Sequence, residues 1–162
     1  MATEPQNSNG PDQGQEIQPS INVLAQYIKD LSFENPNAPR SLGNMQNSPQ
    51  ISLTVNVNGK PLGGADYEVE LSIEGGAGEG AGTLFKFELL YGAVIRLAGI
   101  PDDNVHAMVM IEGPRLLFPF ARQIIADATR NGGFPPLMID PIDFVALYRN
   151  RLAQVPPAAG QA

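Results

Sequence analysis

Few side chains in this sequence have the types and spacing that catalysis or metal binding requires. The single histidine, His106, has no cysteine or second histidine to complete a zinc site. Asp102 and Asp103 look like a carboxylate pair, but adjacent residues point apart and a helix cap accounts for both. Serine-hydrolase and zinc-protease motifs are absent from the sequence. We therefore expect no enzyme, no bound metal and no cofactor.

The glycine-rich stretch 75–82 is the second candidate for chemistry, as a phosphate-binding loop. Its spacing matches neither the dinucleotide-binding nor the P-loop motif, and a strand rather than a helix follows it. Glu79 within the stretch would also repel a phosphate. The sequence predicts a flexible hairpin loop here.

Acidic side chains do form a pattern that points to a binding surface. In the segment Asp30-Leu31-Ser32-Phe33-Glu34, the two acids and Ser32 would share one face of a strand. Later strands add further acids to the same predicted face, namely Glu68, Glu70, Glu74 and Glu88. Such a surface suits a cationic partner, although a solvated face kept soluble by acids is an equally open interpretation.

Composition fits one soluble domain. The chain has 162 residues, 43% of them hydrophobic, and a formal charge of −7, which argues against nucleic-acid or acidic-membrane binding. Residues 1–20 and 155–162 are poor in large apolar side chains and are expected to be mobile tails around a domain of residues 21–154. The lack of cysteine, of a secretory signal and of a membrane-spanning stretch favours a cytoplasmic location.

Four stretches alternate apolar and polar residues with the period of a half-buried strand: 21–34, 50–58, 65–74 and 83–91. In the first, Ile21, Val23, Ala25 and Tyr27 are predicted to share the apolar face with Leu31 and Phe33. A helix remains an alternative for this stretch, because Leu24, Ile28 and Leu31 also fit helical spacing; β-branched and aromatic content and the prolines that follow favour the strand.

Turn residues separate these stretches. Asn35-Pro36 and Ala38-Pro39 end the first strand, since proline cannot continue a central strand. Segment 40–49 is too long for a hairpin and is expected to be a crossover or a functional loop. Asn58-Gly59 predicts a turn that Gly63-Gly64 extends, and Gly92 either bends the fourth strand or lets it continue.

Helical periodicity begins after residue 102. A short helix around Val105, Met108 and Val109 is expected to be interrupted at Gly113-Pro114. A second helix, opened by Pro119, is predicted from an apolar stripe consisting of Leu117, Phe120, Ala121, Ile124, Ile125 and Ala128. A third begins after Asp140-Pro141-Ile142-Asp143. The order predicts an α+β fold, with a four-stranded antiparallel sheet and helices packed on its apolar face.

From about Ile21 to Gln154 the chain resembles the SecB family of bacterial protein-export chaperones. Two motifs carry the resemblance. The first is Asp30-Leu31-Ser32-Phe33-Glu34-Asn35-Pro36-Asn37-Ala38-Pro39. The second is Leu117-Phe118-Pro119-Phe120-Ala121-Arg122, continued by Gly133-Phe134-Pro135 and Pro141-Ile142-Asp143-Phe144-Val145-Ala146-Leu147-Tyr148.

The resemblance implies a homotetramer, a dimer of dimers, that holds unfolded preproteins in an export-competent state without ATP. It also implies delivery to the motor protein SecA, whose basic, zinc-bearing tail would dock on residues matching Asp30, Glu34 and Glu88. The zinc would belong to SecA. An alternative function is a SecB-like adaptor, for instance an antitoxin-linked chaperone, dedicated to one partner.

The family's other functional positions carry over less directly. Client binding around the loop and the second helix would involve Leu42, Met45, Phe118 and Phe120, although the family loop usually offers phenylalanine and tryptophan and this chain has no tryptophan. Methionine and leucine still make an adaptable apolar surface. Positions that influence subunit assembly match Phe87, Leu89 and Tyr91. Lys86 stands where the family tends to have an apolar residue, which implies a differently tuned docking contact.

Overall fold

The computed structural model describes residues 14–43 and 48–155. The connection between the first and second strands crosses the whole sheet. The four antiparallel strands lie in the order β1-β4-β3-β2, so β1 and β2 are at opposite edges. The strands are β1 (Ser20–Glu34), β2 (Ile51–Gly63), β3 (Asp66–Ala77) and β4 (Phe85–Ala98). The prediction that the segment after β1 is a crossover is confirmed, and so is the strand interpretation of β1.

Irregular pairing in β1 changes which side chains share a face. The register of β1 against β4 shifts between Val23 and Ala25 and again between Ile28 and Asp30. Each shift inserts one residue, which moves the following side chains to the other face. The prediction that Ala25 and Tyr27 lie with the core-facing residues is therefore wrong. Leu31 and Phe33 lie on the core side as expected, opposite Leu89 and Phe87.

The β2–β3 hairpin turns later than predicted. Asn58 pairs with Glu70 and Gly59 with Val69, so the expected turn at Asn58-Gly59 is wrong and β2 continues to Gly63. A side chain at Gly59 would approach Val109 Cγ1 to 2.7 Å, so glycine is required by close packing rather than by a turn. The turn itself uses Gly63 and Gly64, both with positive φ.

The strand β4 runs unbroken through Gly92. A side chain at that position would lie 2.6 Å from Cε2 of Tyr27, whose ring covers the glycine from the neighbouring strand. Gly92 therefore leaves room for the Tyr27 ring on the sheet surface. Gly75, Gly76 and Ala77 still pair with β2 and β4 as the end of β3, so the loop predicted over 75–82 is wrong for these three residues. Residues 78–84 connect β3 to β4, with a single 3₁₀ turn at Gly80–Gly82.

The helical part begins with one uninterrupted segment. Helix α1 (Asp102–Ala107), a π-helical turn (Met108–Glu112) and helix α2 (Gly113–Asn131) follow each other directly, so the predicted break at Gly113-Pro114 is wrong. The π-helical turn lets Pro114 begin α2, where its missing N–H is tolerated. Pro119 lies inside α2 rather than opening it.

The core lies between α2 and the two central strands. Its wholly buried side chains include Val69, Leu71, Ile73, Leu89, Ile95, Leu117 and Ile125. Phe118 belongs to this core, whereas Phe120 is 50% exposed, so the predicted stripe was wrong at Phe120. Helix α2 packs on β3 and β4, which confirms helices on the apolar face of the sheet.

Helix α3 (Phe144–Gln154) packs against the π-helical turn beside the free edge of β2. The side chain of Asp143 accepts a hydrogen bond from the Ala146 backbone N–H at 3.0 Å and caps the helix. The buried Phe144 ring meets Phe118 edge-on, with centroids 6.2 Å apart. Arg151 donates a hydrogen bond to the Val57 backbone carbonyl at the β2 edge.

Among the described residues, the strands and helices begin at Ser20 and end at Gln154. Most of both predicted tails, residues 1–13 and 156–162, lies outside the described residues. Within the described ranges, none of the helices combines the length and the hydropathy needed to cross a membrane.

Candidate functional site

The outer face of the sheet, the side opposite α2, brings the predicted acidic residues together. Asp30 lies directly opposite Leu90 and Glu34 directly opposite Lys86, with Glu88 between these two β4 residues. Residues directly opposite in an antiparallel pair point to the same side. The prediction that Asp30, Glu34 and Glu88 share one face is confirmed by this register.

One half of the outer face is internally neutralised. The Tyr27 hydroxyl donates a hydrogen bond to Oε2 of Glu68 at 2.6 Å, and the ammonium groups of Lys29 and Lys60 lie 3.0 and 3.1 Å from its other oxygen. Lys29 also pairs with Glu70. The network takes residues from β1, β2 and β3 and reaches across β4, and the β1 register shifts are what bring Tyr27 and Lys29 to this face.

The pKa values in this network follow from these contacts. The hydrogen bond from Tyr27, together with the two ammonium groups, lowers the pKa of Glu68 to about 2. Burial and the adjacent Glu68 carboxylate raise the pKa of Tyr27 to about 12. Hydrogen bonds to Glu70 and Glu68 raise the pKa of Lys29. Glu68 and Glu70 are thus committed to internal partners.

The other half of the outer face keeps its acids unpaired. We call Asp30, Glu34, Glu74 and Glu88 the acidic patch; in the part of the chain that the structure describes, none of them has a basic nitrogen within 4.0 Å. Glu74 lies directly opposite Glu88, an arrangement of like charges that disfavours the sheet. Lys86 is the nearby cation on this face.

The acidic patch surrounds a shallow depression of about 330 Å³. Its lining includes Glu34, Glu74 and Glu88, with Lys86 and the hydroxyl-bearing Ser32. Glu74 was predicted to lie on the face but was not assigned a docking role. Its alternation in β3 was the signal available in the sequence, whereas its position opposite Glu88 required the strand register.

A second, apolar surface lies at the end of the crossover. This groove of about 370 Å³ is lined by Ser48, Pro49, Ile51, Leu84, Phe85, Phe134, Pro135, Pro136 and Leu137. The rings of Phe85 and Phe134, 5.0 Å apart, are both buried and form its floor. The groove therefore has aromatic side chains although the chain has no tryptophan. Its residues come from three distant segments, which is why sequence periodicity did not reveal it.

Of the four residues predicted to bind clients, the three that the structure describes do not come together. Leu42 packs on Gly133 beside the groove, where a glycine Cβ would lie 2.9 Å from Leu42 Cδ2. Phe120 projects from another side of α2, and Met45 lies outside the described residues. Phe118 is only 7% exposed, which leaves it no surface for a client. Among the three that the structure describes, Leu42 is the residue beside the groove.

The three residues predicted at the subunit interface are all buried within the protomer. Phe87, Leu89 and Tyr91 are 2%, 1% and 7% exposed and lie beneath the helices. The Tyr91 hydroxyl donates a hydrogen bond to Oε1 of Gln26 at 3.1 Å, across to the edge strand β1. Any influence of these residues on assembly would act through the position of β1.

Two asparagines tie the crossover to both surfaces. The amide of Asn35 donates a hydrogen bond to the Gly132 carbonyl at 2.9 Å, next to the segment that lines the groove. Asn37 donates to the carbonyls of Ala81 and Thr83 at 3.0 and 2.8 Å. The proline-containing turn is thus fixed between the end of β1 and the groove.

The metal-ligating side-chain types and His106 complete the description of the polar groups. Within the described residues no three histidine, aspartate or glutamate side chains are grouped to hold a metal ion. Nδ1 of His106 lies 2.9 Å from the Tyr148 hydroxyl, which gives it a structural contact between α1 and α3.

The chain that carries this apolar groove and acidic sheet face can be compared with known protein families. A family model described as preprotein translocase subunit SecB matches residues 14–155. The chain belongs to the SecB family. This family consists of protein-export chaperones and is not an enzyme family.

Individual relatives agree with the family assignment. The chain is 59% identical over 155 residues to the protein-export protein SecB of Beijerinckia indica, covering 96% of this chain and 97% of that protein. It is also 59% identical over 147 residues to the protein-export protein SecB of Azorhizobium caulinodans, covering 89% and 92%. These identities support a function as a protein-export chaperone.

A solved structure supports the fold. A SecB-like chaperone of Mycobacterium tuberculosis, determined in complex with a ChAD peptide from the HigA1 antitoxin, superimposes with a TM-score of 0.59 and 14% identity. The match covers 76% of this chain and 91% of that one. At this identity the likeness extends to the architecture only.

Proposed function

We propose that this chain is a chaperone that holds unfolded preproteins without using nucleotide and delivers them to the SecA motor. The observation that carries the delivery step is the acidic patch, four carboxylates without an ion pair among the described residues on one face of a protein with a formal charge of −7. Such a surface attracts a basic segment over several ångströms and fixes its orientation.

Client binding is proposed to use the groove at the end of the crossover. The exposed side chains of Ile51, Pro135 and Pro136 and the half-buried Leu137 offer an apolar surface to an extended chain, above the buried rings of Phe85 and Phe134. Leu42 and the exposed Phe120 would enlarge the contact beyond the groove itself. Because each such contact is weak, affinity would be spread over many of them, and SecA could then displace the client.

The functional unit is proposed to be a homotetramer, a dimer of dimers. Support comes from β1, an edge strand whose core-side residues Val23, Ile28 and Leu31 are 36%, 48% and 42% exposed in the single protomer. A long edge strand with exposed apolar side chains is a natural place for another chain to pair. The buried Tyr91, hydrogen-bonded to Gln26, would help to hold this strand in place.

A dedicated adaptor is the second candidate. The M. tuberculosis SecB-like chaperone that shares the fold holds an antitoxin peptide, so the architecture accommodates that function as well. The much higher identity to protein-export proteins favours export for this chain.

The docking proposal is tested by charge reversal. We expect Glu34→Lys and Glu88→Lys each to weaken SecA binding about tenfold or more at low salt, because each places a cation where the partner's cations must sit. Asp140→Lys, an exposed acid in the connector before α3, is the matched control and should bind SecA like the wild type. Calorimetric titration with SecA measures both. Equal affinity of all three variants and the wild type would rule out docking on the acidic patch.

A further inference from the structure

An apolar side chain lies in the middle of the outer face. Leu90 of β4 is half-buried there, directly opposite Asp30 on one side and Ser72 on the other. Glu88 lies two positions earlier on the same strand and face, and Glu74 lies opposite Glu88. Leu90 is thus an apolar position bordered by members of the acidic patch.

A cleft leads from Leu90 towards α3. It has a volume of about 500 Å³, larger than the depression within the acidic patch, and passes over Ser72 and Asn56 to the edge of β2. At its far wall lie the apolar side chains Met110, Leu147 and Tyr148. The cleft therefore joins the acidic patch to an apolar wall on helix α3.

Several contacts hold this wall in place. Arg151 is hydrogen-bonded to the β2 backbone, and the Tyr148 hydroxyl lies 2.9 Å from Nδ1 of His106. Phe144 anchors the start of α3 in the core. A preformed cleft of this kind binds a side chain without the loss of affinity that ordering a mobile segment would bring.

We infer that this cleft seats an apolar side chain of the cationic segment that docks on the acidic patch. The inference rests on the proposed docking of a basic partner and adds its apolar anchor. Leu90 and Glu88 are two residues apart on a strand, a separation of about 7 Å. An extended segment matches that spacing when a lysine or arginine stands two residues from a large apolar side chain, since such residues lie on the same side.

The charges near the cleft and the arrangement of its apolar and charged residues both favour a cationic segment that carries an apolar side chain. Glu70, the acid that lines the cleft, is already paired with Lys29. At its Leu90 end the cleft adjoins the acidic patch, whose carboxylates lack ion pairs within the described residues, so an acidic or purely apolar segment lying across both would leave them uncompensated. An apolar centre within a charged rim is also the usual arrangement of an interface whose binding energy is concentrated in a few residues. Charge alone would steer the partner, and the apolar contact would slow its departure.

The test compares two apolar positions on one strand and one face. Leu90→Ser removes the anchor, and Val94→Ser changes a half-buried residue that lies further along β4 and does not line the cleft. We expect Leu90→Ser to weaken SecA binding about tenfold, and Val94→Ser to leave it within about twofold. Circular dichroism and thermal melts of the full-length variants verify that both are folded.

Salt separates the anchor from the charges. Raising ionic strength should shrink the effect of Glu88→Lys, because charges are screened, and leave the effect of Leu90→Ser nearly unchanged. If Glu88→Lys weakens binding while Leu90→Ser and Val94→Ser behave alike, the anchor is wrong and the docking face stands. If Leu90→Ser alone weakens binding, the partner contacts Leu90 but not the acidic patch, and the proposal that one cationic segment occupies both is wrong. If neither matters, both assignments fall.

Discussion

Glu68 shows that an acidic residue on a binding face need not be available to a partner. Its carboxylate accepts the Tyr27 hydroxyl and lies within 3.1 Å of two lysine ammonium groups, although the sequence places it in the same alternating pattern as Glu74. Glu74, by contrast, faces another carboxylate across the strand pair. The difference comes from which strand neighbours each residue has, so of two identical side chains in one strand one is neutralised within the protomer and the other faces a like charge.

We expect Glu68→Gln to remove part of the acid sensitivity of folding. The folded-state pKa of about 2 lies below the ordinary 4.5, so the stabilisation from the Glu68 carboxylate is present above pH 4.5 and is lost as pH falls to about 2. Over that interval the wild type should lose about 1–3 kcal/mol more of its free energy of unfolding than the variant. Urea unfolding at a series of pH values measures the difference.

Tyr27→Phe is the matched control, since it removes the hydrogen-bond donor and leaves the carboxylate in place. Its acid dependence should fall between those of the wild type and Glu68→Gln. Parallel pH profiles for all three proteins would contradict this account of the network.

At the scale of elements, strand β1 shows where the alternation of apolar and polar residues no longer predicts which face of the sheet a side chain occupies. The period-2 pattern identified all four strands and the common face of Asp30, Glu34 and Glu88, because sheet side chains alternate strictly where pairing is regular. The two register shifts in β1 left no signal in the pattern, so Ala25 and Tyr27 were assigned to the wrong face. The turn at Asn58-Gly59 failed for a related reason, since Gly59 is required by the packing of Val109.

The groove was beyond local pattern for a different reason. Its lining comes from the end of the crossover, the start of β4 and the connector after α2, which approach one another only in the folded chain. Phe118 and Phe120 are two residues apart in the helical motif, yet one is buried against Phe144 and the other projects outward. The sequence predicts that Pro119 opens the helix, whereas α2 begins at Gly113. With that start, the helical periodicity put Phe120 rather than Phe118 on the buried side.

Helix α3 provides the test at this scale. Phe144→Ala should release the helix from the core, because it removes a fully buried ring that packs on Phe118, and should lower the free energy of unfolding by about 3–5 kcal/mol. Leu152→Ala, at a half-exposed position on the same helix, should change it by less than about 0.5 kcal/mol. Chemical unfolding measures both variants. Similar stabilities for the two would show that α3 does not depend on this anchor.

At the scale of the molecule, the surfaces are segregated by chemistry. Carboxylates collect on the outer face, apolar residues collect on the core side of the edge strand β1, and the aromatic-floored groove lies at the end of the crossover. Asn35 and Asn37 connect the end of β1 to the loops beside that groove. In the proposed function, the groove would receive clients, the outer face would receive the partner and β1 would pair with another subunit.

Subunit association is tested on β1. Leu31→Asp should dissociate the proposed tetramer. Leu31 is exposed in the single protomer, and pairing of β1 with another subunit would bury the new charge there. Leu62→Asp, similarly exposed near the β2–β3 turn, should leave the mass unchanged. Light scattering of both variants and the wild type gives the masses. A wild-type mass of one chain, or equal masses for the two variants, would contradict assembly through β1.

The most direct test of the central claim is to dilute a denatured preprotein into buffer with and without this protein, in the absence of nucleotide, and to follow aggregation by light scattering. The account predicts that aggregation is suppressed at one proposed tetramer per preprotein, and that added ATP changes nothing. Undiminished aggregation at that ratio, or suppression only when ATP is present, would contradict it.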